Sequence, residues 1–423
     1  MCGGRIPSRA PRRNAAVRAP GADHRHPGTR PAAAPGRGRG SRANPPVHVA
    51  QQPRLRVVSR RVNHPLPYSR PPAALCLVRL SAIGDVCHMV PVVASIRRRW
   101  PETAITWCVG RGEHALLEGL PGVEFAVLDK AAGWRGYRRL WEATGGRRYD
   151  VLVLAQLSLR ANLASAGIRA DVRLGFDRVR SRELHGLFVN ARIPPAPRQH
   201  VLDGFFSFAE TLGVPRQELV WDIPVPAADA AQAAELLGAE GPVLVVAPCG
   251  SNPLRNWLPE RYAAAADHAA GQHGFRIVLT GGRADSDATM AAGIRRHLRA
   301  PALDLTGRTS LKQLLAVMRL ATVVLSPDSG PAHLGTAAGA TVIALHATSN
   351  PERTGPYLSR RWCVNRYDEA ARQYLGRPAA ELPWGTRVLR PGAMALISVR
   401  DVTAKLDEFV AAGLPRPDPA LVT

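Results

Sequence analysis

From Leu75 onward the chain alternates short apolar runs with longer stretches whose apolar residues recur at helical spacing. The first part holds ALCLVRL (74–80), AITWCVG (104–110), EFAVLD (124–129), DVLVLAQ (150–156) and RLGFD (173–177). The second holds VLVVAP (243–248), FRIVLTGG (275–282), ALDLTG (302–307), TVVLSPD (322–328) and TVIALHA (341–347). Strands that are mostly apolar along their whole length are buried on both faces. Their alternation with helical segments predicts an α/β protein with two doubly wound parallel sheets. Between the two sets, GVPRQELVWDIPVPAAD (213–229) is polar and broken by prolines, as an interdomain linker would be. VRDVTAKLDEFVAAGL (399–414) has helical spacing at Val402, Leu406, Phe409 and Val410 and ends at Gly413. The expected organisation is a tail over 1–72, a first Rossmann-like domain over 73–225, a second over 226–398, and a C-terminal helix and tail over 399–423.

The tail changes the reading of charge. The formal net charge is +23, but fifteen arginines against one aspartate, Asp23, fall within residues 1–70. The body is only moderately basic. Residues 1–72 are rich in Arg, Pro, Ala and Gly without a sustained period of 2 or 3.6, so they bury too little apolar surface to offset the entropy of ordering. They are expected to be disordered, and they lack the continuous apolar core of a secretory signal peptide. A basic arm of this kind suits nucleic acid or anionic lipid; the competing expectation is a segment without function, translated from upstream of the true start. No uncharged apolar run of membrane-spanning length is present. Six scattered cysteines without a C-x-x-C pair argue for free thiols in a reducing compartment rather than a disulfide framework or a zinc site.

Two facing sheets of this type bind ligands at the carboxyl ends of their strands, so the loops after strands carry the candidate chemistry. In SPDSGPAHLGTAAG, Pro331 suits the start of a helix and Gly339 its end. Asp328, Ser329 and Gly330 then stand where helix N-terminal amides favour a phosphate or diphosphate, with His333 in the first turn. Asp328 and Ser329 as simple caps, with His333 in the core, is the competing reading. In PCGSNPLRNWLPERY, Gly250 and Ser251 offer donors and Arg255 a fixed cationic fork, followed by a helix opening at Pro259. Gly281 and Gly282 with Asp285, and Thr306 with Gly307, are turns at the same edge, and Ser310 with Gln313 forms a capping box.

In the first half, SAIGD (81–85) follows ALCLVRL. Pro91 cannot sit deep in a helix, which places the helix start near His88 and leaves Asp85 in the loop before it. Asp85 there is a capping residue or a proton acceptor. Arg169, Arg173, Arg178, Arg180 and Arg182 form a basic run that either grips an acidic acceptor or faces solvent. Neither G-x-G-x-x-G nor G-K-[ST] occurs in the SAIGD turn, which argues against a dinucleotide fingerprint or a P-loop there.

Taken together, VRLSAIGDVCHMVP, RLGFDRVRSREL, APCGSNPLRNWLPERY, LTGRTSLKQLLAVMRLA and SPDSGPAHLGTAAGATVIALHATSNPERTGPY resemble glycosyltransferase family 9, the bacterial lipopolysaccharide heptosyltransferases. The resemblance runs from Leu75 to Val410 in the family's order. It implies the glycosyltransferase-B fold, with two Rossmann-like doubly wound domains facing across a cleft. It implies an ADP-heptose donor held by the second domain and a lipid-linked lipopolysaccharide inner core held by the first. By position, Asp85 matches the catalytic base, with Ser81 and Gly84 in the loop beside it. Gly250, Ser251, Arg255, Asp285, Asp328, Ser329, Gly330 and His333 match donor contacts, Arg255 standing where many members have lysine. Arg160, Arg178, Arg180 and Arg182 are candidate acceptor contacts. Two departures stand out: Cys249-Gly250-Ser251 replaces the usual Gly-Ala-Ser, and Gln156-Leu157 replaces Gln-Gly. The implied reaction is a single displacement with inversion. No metal and no cofactor beyond the ADP-sugar substrate is expected. The implied setting is the cytoplasm, with peripheral contact at the inner membrane and no specific nucleic-acid partner. A transferase of the same fold with another nucleotide-sugar or acceptor, or a non-catalytic basic binding protein, are the alternatives.

Overall fold

A computed structural model of the chain describes residues 65–238 and 240–414. The expected tail over 1–64 and the last residues of the C-terminal tail lie outside the described residues. Residues 65–72, read above as part of a disordered tail, are ordered against the first half. The Tyr68 amide donates to Leu212 O at 3.0 Å, its hydroxyl donates to Asp150 O at 3.1 Å, and Thr103 donates to Pro72 O at 2.7 Å.

All ten apolar runs contain strands. In the first half these are β1 (Ala74–Val78), β2 (Ala104–Gly110), β3 (Val123–Leu128), β4 (Arg148–Leu154), β5 (Arg169–Gly175) and the two-residue β6 (Ala191–Arg192). The second half has β7 (Val243–Val246), β8 (Arg276–Leu279), β9 (Ala302–Asp304), β10 (Val323–Pro327), β11 (Thr341–His346) and β12 (Val364–Asn365). The strand orders are β3-β2-β1-β4-β5-β6 and β12-β11-β10-β7-β8-β9, every pair parallel. Written from each half's own first strand, the two orders are the same.

The helices of the first half are α1 (Ile83–Arg99), α2 (Arg111–Leu117), α3 (Trp134–Ala143), α4 (Leu159–Ala166) and α5 (Val201–Leu212). Those of the second are α6 (Ala227–Leu237), α7 (Pro259–His273), α8 (Asp285–His297), α9 (Leu311–Arg319), α10 (Gly330–Ala337), the one-turn α11 (Pro351–Thr354), α12 (Tyr367–Leu375) and α13 (Val399–Ala411). Ser310 caps α9 in the expected box, its hydroxyl accepting the Gln313 amide at 3.1 Å. Helices cover both faces of each sheet, which is why Leu77, Val78, Val151 and Val245 are all buried. Each such side chain contributes roughly 1.5–3 kcal/mol of transfer free energy. Segment 213–226 carries no regular element, and its Trp221 and Asp222 bind α1 through Cys87 O and Arg97.

The halves touch directly. The Nε2–H of His200 donates to Gly355 O at 2.8 Å, and the Tyr357 hydroxyl donates to Asp203 at 2.8 Å. The first turns of α1 and α10 also meet: a Cβ added at Gly330 would lie 3.5 Å from Ile83 Cβ.

Candidate active site

Strand order reverses between β1 and β4 in one sheet and between β7 and β10 in the other. Adjacent loops leave in opposite directions there and open a crevice. SAIGD follows β1, Gln156 follows β4, the Gly250–Arg255 loop follows β7, and Asp328 follows β10.

Asp85 lies inside α1, not in a loop before it. The helix starts at Ile83 and carries Pro91 within it. Proline removes one helical hydrogen bond, and the carbonyl it would have served, Cys87 O, accepts the Trp221 indole N–H at 2.8 Å instead. The donor comes from the interdomain segment, which is why spacing within the helix gave the wrong start. In the first turn, the Asp85 carboxylate accepts the Ala82 amide at 3.3 Å and pairs with Arg79. Its side chain remains 32% exposed, so one face is open to the crevice.

Arg79 escaped the sequence reading. It is buried at the end of the first strand run, donates to Ala155 O at 2.7 Å and lies over the Phe205 ring. A lone charge in an otherwise apolar run was its only signal. Gln156 holds the turn itself: its Oε1 accepts the Leu80 amide at 2.7 Å and the Ser81 amide at 3.3 Å, and its amide donates to the Ser81 hydroxyl at 3.4 Å. Gly84 has no room for a side chain, since a Cβ there would fall 2.4 Å from His333 Cδ2.

Across this contact, Arg255 and Asp328 join at 2.7 Å, both buried. Asp328 also accepts the Ser349 hydroxyl at 2.6 Å and the Thr354 hydroxyl at 3.1 Å, with His333 Nε2 at 3.8 Å. Burial alone would raise this carboxyl, but His346, Arg255, His333 and the Ser349 hydrogen bond together hold it well below the usual carboxylate range. The Asp328 carboxylate is engaged by these protein groups and anchors Arg255. Nor do Asp328 or Ser329 cap the helix; the Ser329 hydroxyl sits 3.0 Å from that of Ser326. The first amides of α10 consequently have no side-chain cap, as an anion site requires. Burial holds His333 below the ordinary histidine range, opposed by Asp328 and Asp85, so it stands as a neutral imidazole.

The other expected donor contacts divide. Gly250 does not offer a free amide, since its N–H donates to Asn256 Oδ1 at 2.7 Å; the asparagine locks the turn instead. Ser251 is exposed and has no hydrogen bond among the described residues. Asp285 is the exposed first residue of α8, while Asp287 binds the glycine turn through the Gly282 amide at 2.8 Å.

The basic run also divides. Arg173 is not at the cleft: it is buried and bonds the carbonyls of Phe188, Ile168 and Ser165, and burial pushes it down to about 10. Arg180 is consumed by Asp177 and Gln199. Arg160, Arg178 and Arg182 are exposed and have no side-chain partner among the described residues.

The model of glycosyltransferase family 9 (heptosyltransferase) matches residues 137–384. The chain belongs to glycosyltransferase family 9. This family 9 chain is 38% identical, over 81% of its length and 98% of the relative's, to the lipopolysaccharide core heptosyltransferase OpsX of Haemophilus influenzae. It is 27% identical to lipopolysaccharide heptosyltransferase 1 of Pseudomonas aeruginosa, over 66% of the chain and 80% of that protein. Among solved structures, a family 9 glycosyltransferase from Veillonella parvula superposes with a TM-score of 0.67 at 21% identity, covering 81% of the chain and 98% of its own. An Escherichia coli heptosyltransferase with ADP gives 0.63 at 21%, covering 79% and 99%. The fold is the glycosyltransferase-B fold expected above, and the protein is a glycosyltransferase.

Proposed function

We propose that this family 9 enzyme transfers a heptose from ADP-heptose to the inner core of lipopolysaccharide. The observation that carries the reading is the meeting of two crevices. The Asp85–Arg79 pair from one half faces the Arg255–Asp328–His333 cluster of the other across abutting helix starts. The two relatives named above are both described as lipopolysaccharide heptosyltransferases. The second half then holds the donor and the first half the acceptor.

Asp85 accepts the proton of the acceptor hydroxyl while that oxygen attacks the anomeric carbon from the face opposite the diphosphate. The bond from that carbon to the diphosphate oxygen breaks, ADP leaves with the electron pair, and the configuration inverts. Arg255 and the first amides of α10 hold the charge that develops on the leaving diphosphate; fixed donors of this kind need no rearrangement during the reaction. Arg79 and Gln156 act by positioning Asp85 and its turn. The test is incubation of purified protein with ADP-heptose and truncated lipopolysaccharide acceptors, read by mass spectrometry. A heptose-sized mass gain on one acceptor is the expected result, and transfer only from other nucleotide-sugars would redirect the reading.

An acceptor anchored in lipid brings the enzyme to a membrane. No helix of the described residues is long and apolar enough to cross one. The first half does expose Trp134, Val179, Leu184 and Leu187 at 58–84%. Exposed arginines flank them in the chain, Arg135, Arg138 and Arg139 after Trp134 and Arg178 before Val179. Apolar tips beside arginines suit the surface of an anionic bilayer. The protein should sediment with anionic vesicles at low salt and release at high salt; equal binding to neutral vesicles would count against this contact.

A further inference from the structure

Arg353 is the cation the proposed chemistry leaves unused. It rides on α11, a single turn fixed from several sides: Asn350 caps it through the Glu352 amide at 3.0 Å, Thr354 bonds Asp328, and Gly355 O accepts from His200 of the other half. Its side chain is half-buried, yet among the described residues its guanidinium has no hydrogen bond and no ion pair. Burial disfavours its charged form, and so does Arg387, whereas Asp85 and Asp328 favour it and Arg182 opposes it again. Those two carboxylates each have an arginine already, Arg79 for Asp85 and Arg255 for Asp328. The 385–387 segment lies alongside: a Cβ at Gly385 would be 3.7 Å from Arg353 Nε, and the Arg387 backbone pairs with that of Ser349 in an isolated antiparallel bridge. Arg387 and Arg182 also have no side-chain partner among the described residues.

A fixed, half-desolvated guanidinium with two more arginines acting on it and no carboxylate of its own is costly unless an anion completes it. We propose that Arg353, with Arg182 and Arg387, forms an oxyanion subsite that holds a phosphate or carboxylate group of the acceptor next to the hydroxyl facing Asp85. The acceptor is favoured over the donor diphosphate for two reasons. The diphosphate already has Arg255 and the α10 amides, and Arg182 comes from the half that holds the acceptor. The guanidinium plane suits either oxyanion through two parallel N–H bonds. This inference rests on the transfer reaction proposed above.

The experiment pairs Arg353→Ala and Arg353→Lys with acceptors that carry or lack the anionic group beside the attacked hydroxyl, each measured against both substrates. Loss of a charge-assisted contact predicts an acceptor KM raised at least about 10-fold in Arg353→Ala, with partial rescue in Arg353→Lys. The KM for ADP-heptose should move less than about 2-fold, taking a bound diphosphate as untouched by this residue. The acceptor lacking its anion should be equally poor for wild type and Arg353→Ala. Melting temperature and ADP affinity report intact folding of the variants. A raised donor KM with an unchanged acceptor KM would assign Arg353 to the diphosphate and overturn the subsite, as would unchanged values for both. Inhibition by inorganic phosphate of ADP-independent acceptor binding supplies a readout without turnover. If wild type transfers nothing, yet phosphate displaces a bound acceptor from wild type and not from Arg353→Ala, the subsite stands and the transfer reading fails.

Discussion

Asp85 answers two demands at once. Its carboxylate closes the first turn of α1 through the Ala82 amide, and it is paired with the buried Arg79. A capping aspartate would need neither the arginine nor the Gln156 clamp that fixes the turn around it. Asp85→Asn keeps the size and the amide contact but cannot take up a proton. It should lower turnover at least about 10²-fold with the melting temperature close to wild type, measured by initial rates of ADP release. A near-wild-type rate from a folded variant would remove Asp85 from the mechanism. At the same scale, Asp328 shows how much of a residue's surroundings the chain's spacing leaves unsaid. An aspartate beside a helix start is legible in the sequence as part of an anion site, but four protein groups converge on it in space, and that convergence has no sequence spacing to reveal it.

At the level of elements, the strands were the most legible part. Buried parallel strands must be apolar on both faces, so all ten long ones declare themselves, whereas the two-residue edge strands β6 and β12 are too short to carry any pattern. The start of α1 was misplaced because a rule that holds within one element, that proline does not sit deep in a helix, was overridden by a donor from the interdomain segment, Trp221. The contact between α1 and α10 depends on Gly84, which the sequence places only in the loop beside Asp85. In Gly84→Ala the added methyl meets the His333 ring at 2.4 Å. It should cost about 1–3 kcal/mol by overpacking and reduce activity by separating the helix starts. Equilibrium denaturation together with turnover checks it; an alanine variant with wild-type stability and rate would mean the helices are not in close contact.

For the whole molecule, three histidines gather where the halves join. His88 stands 4.4 Å from His333 and 5.4 Å from His200 between ring centres, and all three are held below the ordinary histidine range, first of all by burial. His200 is pushed down to about 4, and its neutral form is required because Nδ1 accepts the Leu202 amide while Nε2 donates to Gly355 O. The unfolded chain, with an ordinary value near 6.5, binds these protons more tightly than the folded one. Their contribution to stability is therefore complete above about pH 6.5 and is lost as pH falls toward about 4, at up to about 1.4 kcal/mol per pH unit for each group. Asp328, held down by its partners, adds a loss only below about pH 4. Melting temperature followed from pH 7 to 4 should fall steadily, and His200→Gln should flatten part of that fall; a melting temperature constant over the range would contradict the buried neutral histidines.

By itself the sequence determined the class of the molecule: two doubly wound parallel sheets, and the segments after strands that could carry chemistry. Those properties follow from local rules, since burial on both faces demands apolar strands and helix starts demand particular residues. Tertiary structure decided which side chains act together. It joined Arg255 to Asp328 and Asp85 to Arg79, occupied the Gly250 amide, let Pro91 lie within a helix, and left Arg353 without an ion pair among the described residues. Each of those outcomes depends on groups far apart in the chain competing for the same donor, acceptor or charge, and no local pattern records the result of that competition.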